Sequence, residues 1–573
     1  MLNSLSFTLL VAVCVQFTLS LPTNYRQAGL LVSHTLGPER QLLEPNPWLK
    51  QLAKFSPVQL GNWLEVDETW WSSFLSSFEK SQSAVVTDGI RAVSTPTDDD
   101  LSIWLERQKT TAFHGILKNI GGAENHDKDV AQGAVVASPS KVRPNYFYQW
   151  VRDAAITVNS LVEYLEDSHF DDSEYGLSAV IESYISNSYK LQRLQNPSGD
   201  FDSLAGLGEP KFMPDSTPFE EPWGRPQRDG PGLRVITIAN YLNLLEEYGK
   251  NITDANLINS EFIYLEILKP DLSYIMKYWK STGFDLWEEI DSFHLFTSLT
   301  QLKALKMGLD LSNKFDDKDF HKRLVGSFNA LRFFISVDSG FRPNSTPYLI
   351  ETPSLVLEGR RCGLDIASVL ASLRSHDVDD HDDTIYIPFP VTDAAVINTL
   401  TALLNDMKYR YPINHIRLGL PVGFALGRYP EDVYNGYGIS EGNPWFISTA
   451  TASELMYKLI YNLYNLQRDL VIPSEQASLF SSITTLKFKN KEEVTLPFGS
   501  KAFNVATYSL LNYADTFLSI IKEHVDGDGH MSEQFNRYTG YMEGAEDLTW
   551  SYGSLWSSLR WRDKALQLIE RNQ

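Results

Sequence analysis

Cysteine is nearly absent from this chain, with two in 573 residues, Cys14 and Cys362. Cys14 sits in the apolar run LSFTLLVAVCV at 5–15, which with the small residues Thr18-Leu19-Ser20 behind it reads as a secretory signal cut near Ser20. Cys362 is then alone in the mature chain, which excludes an intramolecular disulfide and leaves stability to the size of the core. Basic residues are scarce as well, 50 Lys+Arg against 72 Asp+Glu, for a net charge of −22. That balance argues against nucleic acid and anionic membrane as partners, because phosphate binding needs a basic face. Long hydrophobic runs are also missing. The run at 5–15 falls short of the roughly 20 residues that a spanning helix needs, and no later segment is apolar for that long, so no membrane span is expected. No Lys or Arg precedes the run, and the α-amino group alone supplies the positive charge usual in a leader.

What is present points to a large folded body. Hydrophobic residues make up 43% and charged residues 21%, the composition of a chain that buries a core. The 13 Trp and 27 Tyr supply flat amphipathic rings that pack in cores and also stack on ligands with an apolar face, sugars among them. Residues 21–98 read as an extension of unknown role, ending in a linker or helix cap at Ser94-Thr95-Pro96-Thr97-Asp98. Its Trp48, Trp63, Trp70 and Trp71 have apolar neighbours and are read as packing rather than polysaccharide-binding. Asn251-Ile252-Thr253 and Asn344-Ser345-Thr346 are glycosylation sequons, in keeping with a secreted, vacuolar or wall-bound protein.

From residue 99 onward, apolar residues recur at helical spacing in roughly twelve segments, near 99–120, 153–166, 176–195, 231–249, 260–281, 292–313, 318–336, 365–374, 392–410, 445–466, 503–525 and 548–570. Strand-like runs such as Thr384-Ile385-Tyr386-Ile387-Pro388 are few, so the class is all-α. The connections rich in Gly, Pro, Trp and charge follow the odd-numbered helices. In an antiparallel up-and-down arrangement such loops emerge together, which predicts a single site at one mouth of a helical barrel.

The first of these loops ends in Tyr146-Phe147-Tyr148-Gln149-Trp150-Val151-Arg152-Asp153, where the Arg-Asp pair alone reads first as a helix cap and a structural ion pair. The third carries Gly206-Leu207-Gly208-Glu209-Pro210-Lys211-Phe212 and Trp223-Gly224-Arg225-Pro226 in about 35 residues without periodicity, a length rare in a compact domain unless functional. Its glycines lack the spacing and strand context of a phosphate loop. The fifth places Asp285, Glu288 and Glu289 around Leu286 and Trp287. An acid beside a large ring is expected to hold its proton, and adjacent acids add to the effect; the plainer alternative is an acidic helix start. The ninth contains Arg428, whose fixed donors suit sugar hydroxyls, and ends in Trp445-Phe446. The eleventh contains Glu533 and leads to Trp550. Glycoside hydrolysis requires a carboxyl group on each side of a sugar ring, and loop parity puts Glu288 and Glu533 at one mouth. Two decoys are set aside. Asp526-Gly527-Asp528-Gly529 is read as a turn rather than a calcium loop. The run from His376 to Asp383 is read as a solvated acidic loop at the other end of the barrel rather than a site for a divalent cation or magnesium diphosphate. Nothing calls for a metal or a cofactor.

In this order the motifs resemble the fungal glucoamylases, glycoside hydrolase family fifteen, and most closely the yeast-type enzymes. The likeness covers about residues 100–573, through WVRD at 150–153, GLGEPKF at 206–212, WGRPQRDGP at 223–231, STGFDLWEE at 281–289, GRYPEDVYNG at 427–436, EGNPWF at 441–446, SEQFNRYTGY at 532–541 and DLTWSY at 547–552. The resemblance implies an (α/α)6 barrel, six inner and six outer helices, over 99–573. It also implies a general acid at Glu288, a general base at Glu533, and inversion that releases β-glucose from non-reducing ends of starch, glycogen or maltooligosaccharides. Arg152, Asp153 and Arg428 match positions that hold the terminal glucose, and Tyr146, Trp223, Trp445 and Trp550 match an aromatic wall. Asp285 and Glu289 match acids lining the site, Asp285 being a rival candidate for the base; Leu286 and Trp287 of the same motif join the substrate-binding set. No starch-binding module is recognisable, so weak action on granular starch is expected, from a monomer. The rival readings are a hydrolase of the same barrel that prefers short oligosaccharides or α-1,6 branches, and a non-catalytic glucan-binding protein. Retention of both Glu288 and Glu533 speaks against the second, because a binder needs neither.

Overall fold

The computed structural model describes residues 99–376, 385–486, 488 and 492–572, all within the compact unit Thr95–Gln573. The leader, the extension at 21–98 and the acidic run from 377 onward lie outside the described residues.

Among the described residues twelve long helices follow one another: α1 (Asp99–Leu117), α2 (Val151–Asp167), α3 (Leu177–Gln192), α4 (Gly230–Glu247), α5 (Ser260–Ile263, continued through a π-turn at Tyr264–Leu268 into Lys269–Tyr278), α6 (Leu295–Lys314), α7 (Lys318–Phe333), α8 (Ala367–Ser375), α9 (Ala394–Arg410), α10 (Phe446–Asn465), α11 (Lys501–His524) and α12 (Thr549–Arg571). The even-numbered helices pack in sequence, α2 on α4, α4 on α6, α6 on α8, α8 on α10 and α10 on α12, and α12 returns to α2. Outside this closed ring α3 lies on α2, α5 on α4, α7 on α6, α9 on α8, α11 on α10 and α1 on α12. This is the expected (α/α)6 barrel. Burial follows from position in it. Inner helix α10 is buried almost continuously from Phe446 to Tyr464, whereas outer helix α7 buries one stripe, Phe320, Leu324, Phe328 and Leu331.

Helix starts divide in the same way. On the outer helices Asn259, Asp317, Asp393 and Ser500 accept from backbone N–H groups of their own first turns. The residues that begin the inner helices make no such side-chain cap. Carbonyls of neighbouring loops take their place: Val151 N–H donates to Pro210 O (2.9 Å), Leu295 to Glu351 O (3.0 Å), Ile366 to Arg428 O (2.9 Å) and Thr549 to Ala137 O (2.9 Å). Short antiparallel pairs stiffen the same loops, Gln149–Trp150 with Lys211–Phe212, Gly283–Phe284 with Asp291–Ser292, and Gln534–Phe535 with Met542–Glu543. Residues 385–388, strand-like by sequence, pair with no strand among the described residues; Ile387 is buried in the helical core, and Pro388 has no N–H to offer a ladder.

Between α4 and α5 a two-pronged ion pair is sealed in the wall. Arg234 Nε donates to Asp271 Oδ2 at 2.7 Å and Nη2 to Oδ1 at 2.6 Å, with both side chains almost wholly buried. Removing one partner strands the other charge, so Asp271→Ala is expected to cost about 3–5 kcal/mol. Urea unfolding measures it, and a loss under about 1 kcal/mol would show that water reaches the freed guanidinium.

Candidate active site

The loops after the odd-numbered helices meet at the N-terminal ends of the inner ring and enclose a cavity of about 350 Å³. Tyr146, Trp150, Arg152, Asp153, Trp223, Leu286, Trp287, Glu288, Glu289, Arg428, Tyr434, Trp445, Glu533 and Trp550 line it. Five of the six loops contribute lining residues; the α7–α8 loop braces the site from behind.

Pairing of Gly283–Phe284 with Asp291–Ser292 makes residues 285–290 the tip of a hairpin. The Asp285 carboxylate stays behind that tip, its Oδ1 accepting from the N–H groups of Glu289 (2.7 Å) and Ile290 (2.8 Å). This closure holds Glu288 at φ +65, a left-handed conformation that costs a non-glycine residue about 1–3 kcal/mol. Glu288 enters the cavity, where Oε1 accepts from Trp150 Nε1 (2.6 Å) and Gln227 Nε2 (2.8 Å), and Arg152 Nη2 stands 3.8 Å away. Glu289 is engaged by Arg428 Nη2 (2.8 Å), Arg361 Nη2 (2.7 Å) and the Tyr429 hydroxyl. Burial works to raise its pKa, but Arg428, Tyr429 and Arg361 together outweigh it and hold Glu289 below the ordinary carboxylate range.

Two expectations are corrected here. Asp285 does not line the cavity, because its carboxylate is spent on the hairpin backbone. The ring against Glu288 is Trp150, bonded through its polar edge, while Trp287 directs its own N–H to Asp365. The three acids of the motif therefore diverge to separate partners instead of crowding one another.

Glu533 arrives on the α11–α12 loop, buried, its N–H donating to Ala545 O at 2.9 Å. Burial pushes its carboxyl up to about 8, against the pull of the Arg428 charge and a hydrogen bond from Tyr146. The hydroxyls of Tyr146 and Tyr434 are 2.8 Å apart beside it. Arg152 Nη1 donates to Gln227 Oε1 (2.8 Å) and Asp229 Oδ2 (3.1 Å), and Nε faces Asp153 Oδ2 at 3.4 Å. Burial raises Asp153 to about 6, with Arg152 opposing. Arg428 clasps Asp432 through Nε (2.8 Å) and Nη2 (2.7 Å). Asp153 Oδ2, Arg152 Nε and the indole nitrogens of Trp223, Trp445 and Trp550 are buried without a hydrogen-bond partner in the protein. Buried donors and acceptors are ordinarily paired, so their convergence on one cavity fits an occupant rich in hydroxyl groups.

Comparison with known proteins agrees: the model of the family described as "Glycosyl hydrolases family 15" matches residues 111–559. The chain belongs to that family. It is 41% identical over 484 residues to glucoamylase GLU1 of Saccharomycopsis fibuligera, covering 82% of this chain and 92% of that one. It is 38% identical to the intracellular sporulation-specific glucoamylase of Saccharomyces cerevisiae, covering 82% and 85%. The solved glucoamylase of Saccharomycopsis fibuligera superposes with a TM-score of 0.78 at 39% identity, over 84% of this chain and 99% of the other. The glucoamylase of Hypocrea jecorina gives 0.71 at 30% identity, over 81% and 72%. The activity is that of a glycoside hydrolase, a glucan 1,4-α-glucosidase, and glucans are its substrates.

Within this family 15 site, sequence reasoning missed Trp150, Gln227, Asp432 and Tyr434, although each falls inside a motif quoted above; Asp365 falls in none. The decoy at 526–529 is a turn, Asp526 Oδ1 accepting from the N–H groups of Asp528 and His530. Among the described residues no cluster of His, Cys, Asp or Glu is arranged to hold a metal ion, and no helix is long and apolar enough to cross a membrane. Asn251 and Asn344 are both exposed. A second cavity of about 340 Å³ lies at the other mouth, among the C-terminal parts of the inner helices. Among its charges Arg374 pairs with Glu454, and Arg560 with Glu166 and Asp167.

Behind Glu533 two loops touch through glycine. Gly544 has φ +78, and a Cβ there would fall 2.4 Å from Glu533 Oε2, while Gly436, at φ +90, leaves 2.7 Å for a Cβ against Gly544 Cα. Gly544→Ala is therefore expected to displace the Glu533 carboxyl and lower kcat/KM by roughly 10- to 100-fold. A variant with unchanged kcat/KM would show that the carboxyl tolerates the shift.

Proposed function

We propose that Glu288 is the general acid and Glu533 the general base of an inverting, exo-acting hydrolase that releases β-glucose from the non-reducing ends of starch, glycogen and maltooligosaccharides. The observation that carries this reading is the pair of carboxyl groups lining one cavity, on loops that lead into the third and sixth inner helices, amid unpaired buried donors and acceptors. Trp150 and Gln227 both meet Oε1 of Glu288, which leaves Oε2 to present the proton. That proton passes to the glycosidic oxygen, the bond from this oxygen to C1 breaks, and water adds to C1 from the opposite face as Glu533 takes its proton. Inversion needs roughly 6.5–9.5 Å between the two carboxyls to leave room for that water. Arg152, Asp153 and Arg428 engage hydroxyls of the terminal glucose, and Tyr146, Trp223, Trp445 and Trp550 pack on its apolar faces. The packed interior of the ring lies beneath the cavity, so a chain end enters and a mid-chain segment does not.

In this reading 99–573 is the catalytic body, 1–20 a leader that sends the chain along the secretory route, and 21–98 an extension. Loss of mass on endoglycosidase treatment, abolished by Asn251→Gln with Asn344→Gln, checks the route.

With maltoheptaose, proton NMR is expected to show β-glucose released first by the wild type, and Glu533→Gln to lose roughly 10²- to 10⁴-fold in kcat. α-Glucose would overturn the carboxylate assignment. The phenol of Tyr146 favours the ionised form of Glu533. Since a base must be ionised, kcat/KM falls as pH drops through its pKa. Tyr146→Phe raises that pKa and moves this acid limb to higher pH. An unmoved or lowered limb in the kcat/KM–pH profile would assign the limb to another group.

A further inference from the structure

The α7–α8 loop contributes nothing to the cavity lining, yet it carries Asp365, a carboxylate 5% exposed and in contact with the reactive hairpin. Trp287 Nε1 lies 3.0 Å from Asp365 Oδ1 and 3.2 Å from Oδ2, one donor shared between both oxygens. Oδ1 also accepts from the backbone N–H of Ala367, at the start of α8, at 2.9 Å. Trp287 itself holds a junction in the site. Its ring centroid is 5.6 Å from that of Trp445 and 6.4 Å from that of Trp550, and the Arg428 guanidinium stands 5.2 Å from it. It also immediately precedes Glu288, the residue held at φ +65.

From this geometry we propose that Asp365 is a positioning residue of the site: by fixing the indole of Trp287 it fixes the aromatic wall and the hairpin tip that presents Glu288. The inference rests on the reading of this cavity as the active site. Alone among the lining tryptophans with a buried indole nitrogen, Trp287 has that nitrogen bonded to a carboxylate within the brace, whereas those of Trp223, Trp445 and Trp550 have no partner in the protein. The ring is thus tied to the scaffold through the same group that those three leave without a partner in the protein. A carboxyl group suits the task because it accepts from the indole and from the start of α8 at once, and two bonds from one buried group resist rotation of the ring.

A double-mutant cycle tests this. Asp365→Ser is short enough to lose the indole yet keeps an oxygen for Ala367 N–H, so it separates the wall from the helix start. Asp365→Asn keeps an acceptor for both. Asp365→Ser is expected to lose roughly 10- to 100-fold in kcat/KM on maltoheptaose in the wild-type background and less than about 3-fold in a Trp287→Phe background, which has no N–H to hold. Asp365→Asn is expected to stay within about 3-fold of the wild type. Equal losses from Asp365→Ser in the two backgrounds, or Asn as damaging as Ser, would overturn the proposal. Should Asp365→Ser not fold, as read from its unfolding midpoint, the cycle with Asp365→Asn decides: a loss of more than about 10-fold that persists with Trp287→Phe overturns it, and kcat/KM within about 3-fold of the parent in both backgrounds supports it. Failure of the underlying reading looks different, because Trp287→Phe and Glu533→Gln would then leave kcat/KM unchanged.

Discussion

The N-terminal ends of six inner helices converge on one mouth, and each brings backbone N–H groups that the helix cannot satisfy itself. How those groups are met decides the rest of the structure. Where four outer helices use Asn, Asp or Ser of their own, four inner ones borrow carbonyls from loops of the neighbouring hairpin: α2 from Pro210, α6 from Glu351, the start of α8 from Arg428, α12 from Ala137. The loops are thereby fastened to the ring at its mouth. A loop segment that is hydrogen-bonded to a buried helix start cannot drift, and the side chains it carries inherit that rigidity.

Charge inside the mouth is arranged by the same economy. Each buried guanidinium is divided between acids with fixed tasks, Arg152 between Asp229 and Asp153, Arg428 between Asp432 and Glu289. These pairings consume the acids that shape the site and leave Glu288 only the longer 3.8 Å approach of Arg152. Lys211 plays a related part in the aromatic wall. Buried, and lowered to about 8 by that burial, it sets Nζ 3.4 Å from the Trp223 ring and 4.5 Å from the Trp150 ring, so one cation holds two indole faces whose edges serve the cavity.

The fold was legible because the inner and outer helices both repeat at helical spacing, and the parity of the rich loops put the candidate residues at one mouth, where the structure gathers most of them. Most helix starts were legible to within about two residues, whether or not the chain caps itself. The outer helices beginning at Ser260 and Lys318 start where the sequence reading put them, with Asn259 and Asp317 as visible signals. The inner helix beginning at Leu295 was expected three residues early, because its first N–H is met by Glu351, far along the chain. The chemistry shows the same divide. Glu288, Glu533, Arg152 and Arg428 announce themselves by motif, whereas the fate of Asp285 and the aim of Trp287 depend on which backbone and which loop fold back against them. Asp365 shows the limit most plainly: an ordinary acid ahead of an ordinary helix, whose partner lies 78 residues away.

Ring geometry also sets the loops that carry the two carboxyl groups on opposite sides of the cavity. Glu288 sits on the loop that leads into α6, the third inner helix, and Glu533 on the loop that leads into α12, the sixth. In a closed ring of six, the third and sixth positions are diametrically opposed, and the loops at those positions approach the cavity from opposite sides. A sugar ring lying between them presents one face to each. Arg152, Trp223 and Arg428 come from the first, second and fifth positions, so the groups suited to hydroxyls and rings fill the arcs between the two acids. In the proposed mechanism, protonation on one face and activation of water on the other follow from the symmetry of the barrel, which sets the two loops on opposite sides of the cavity.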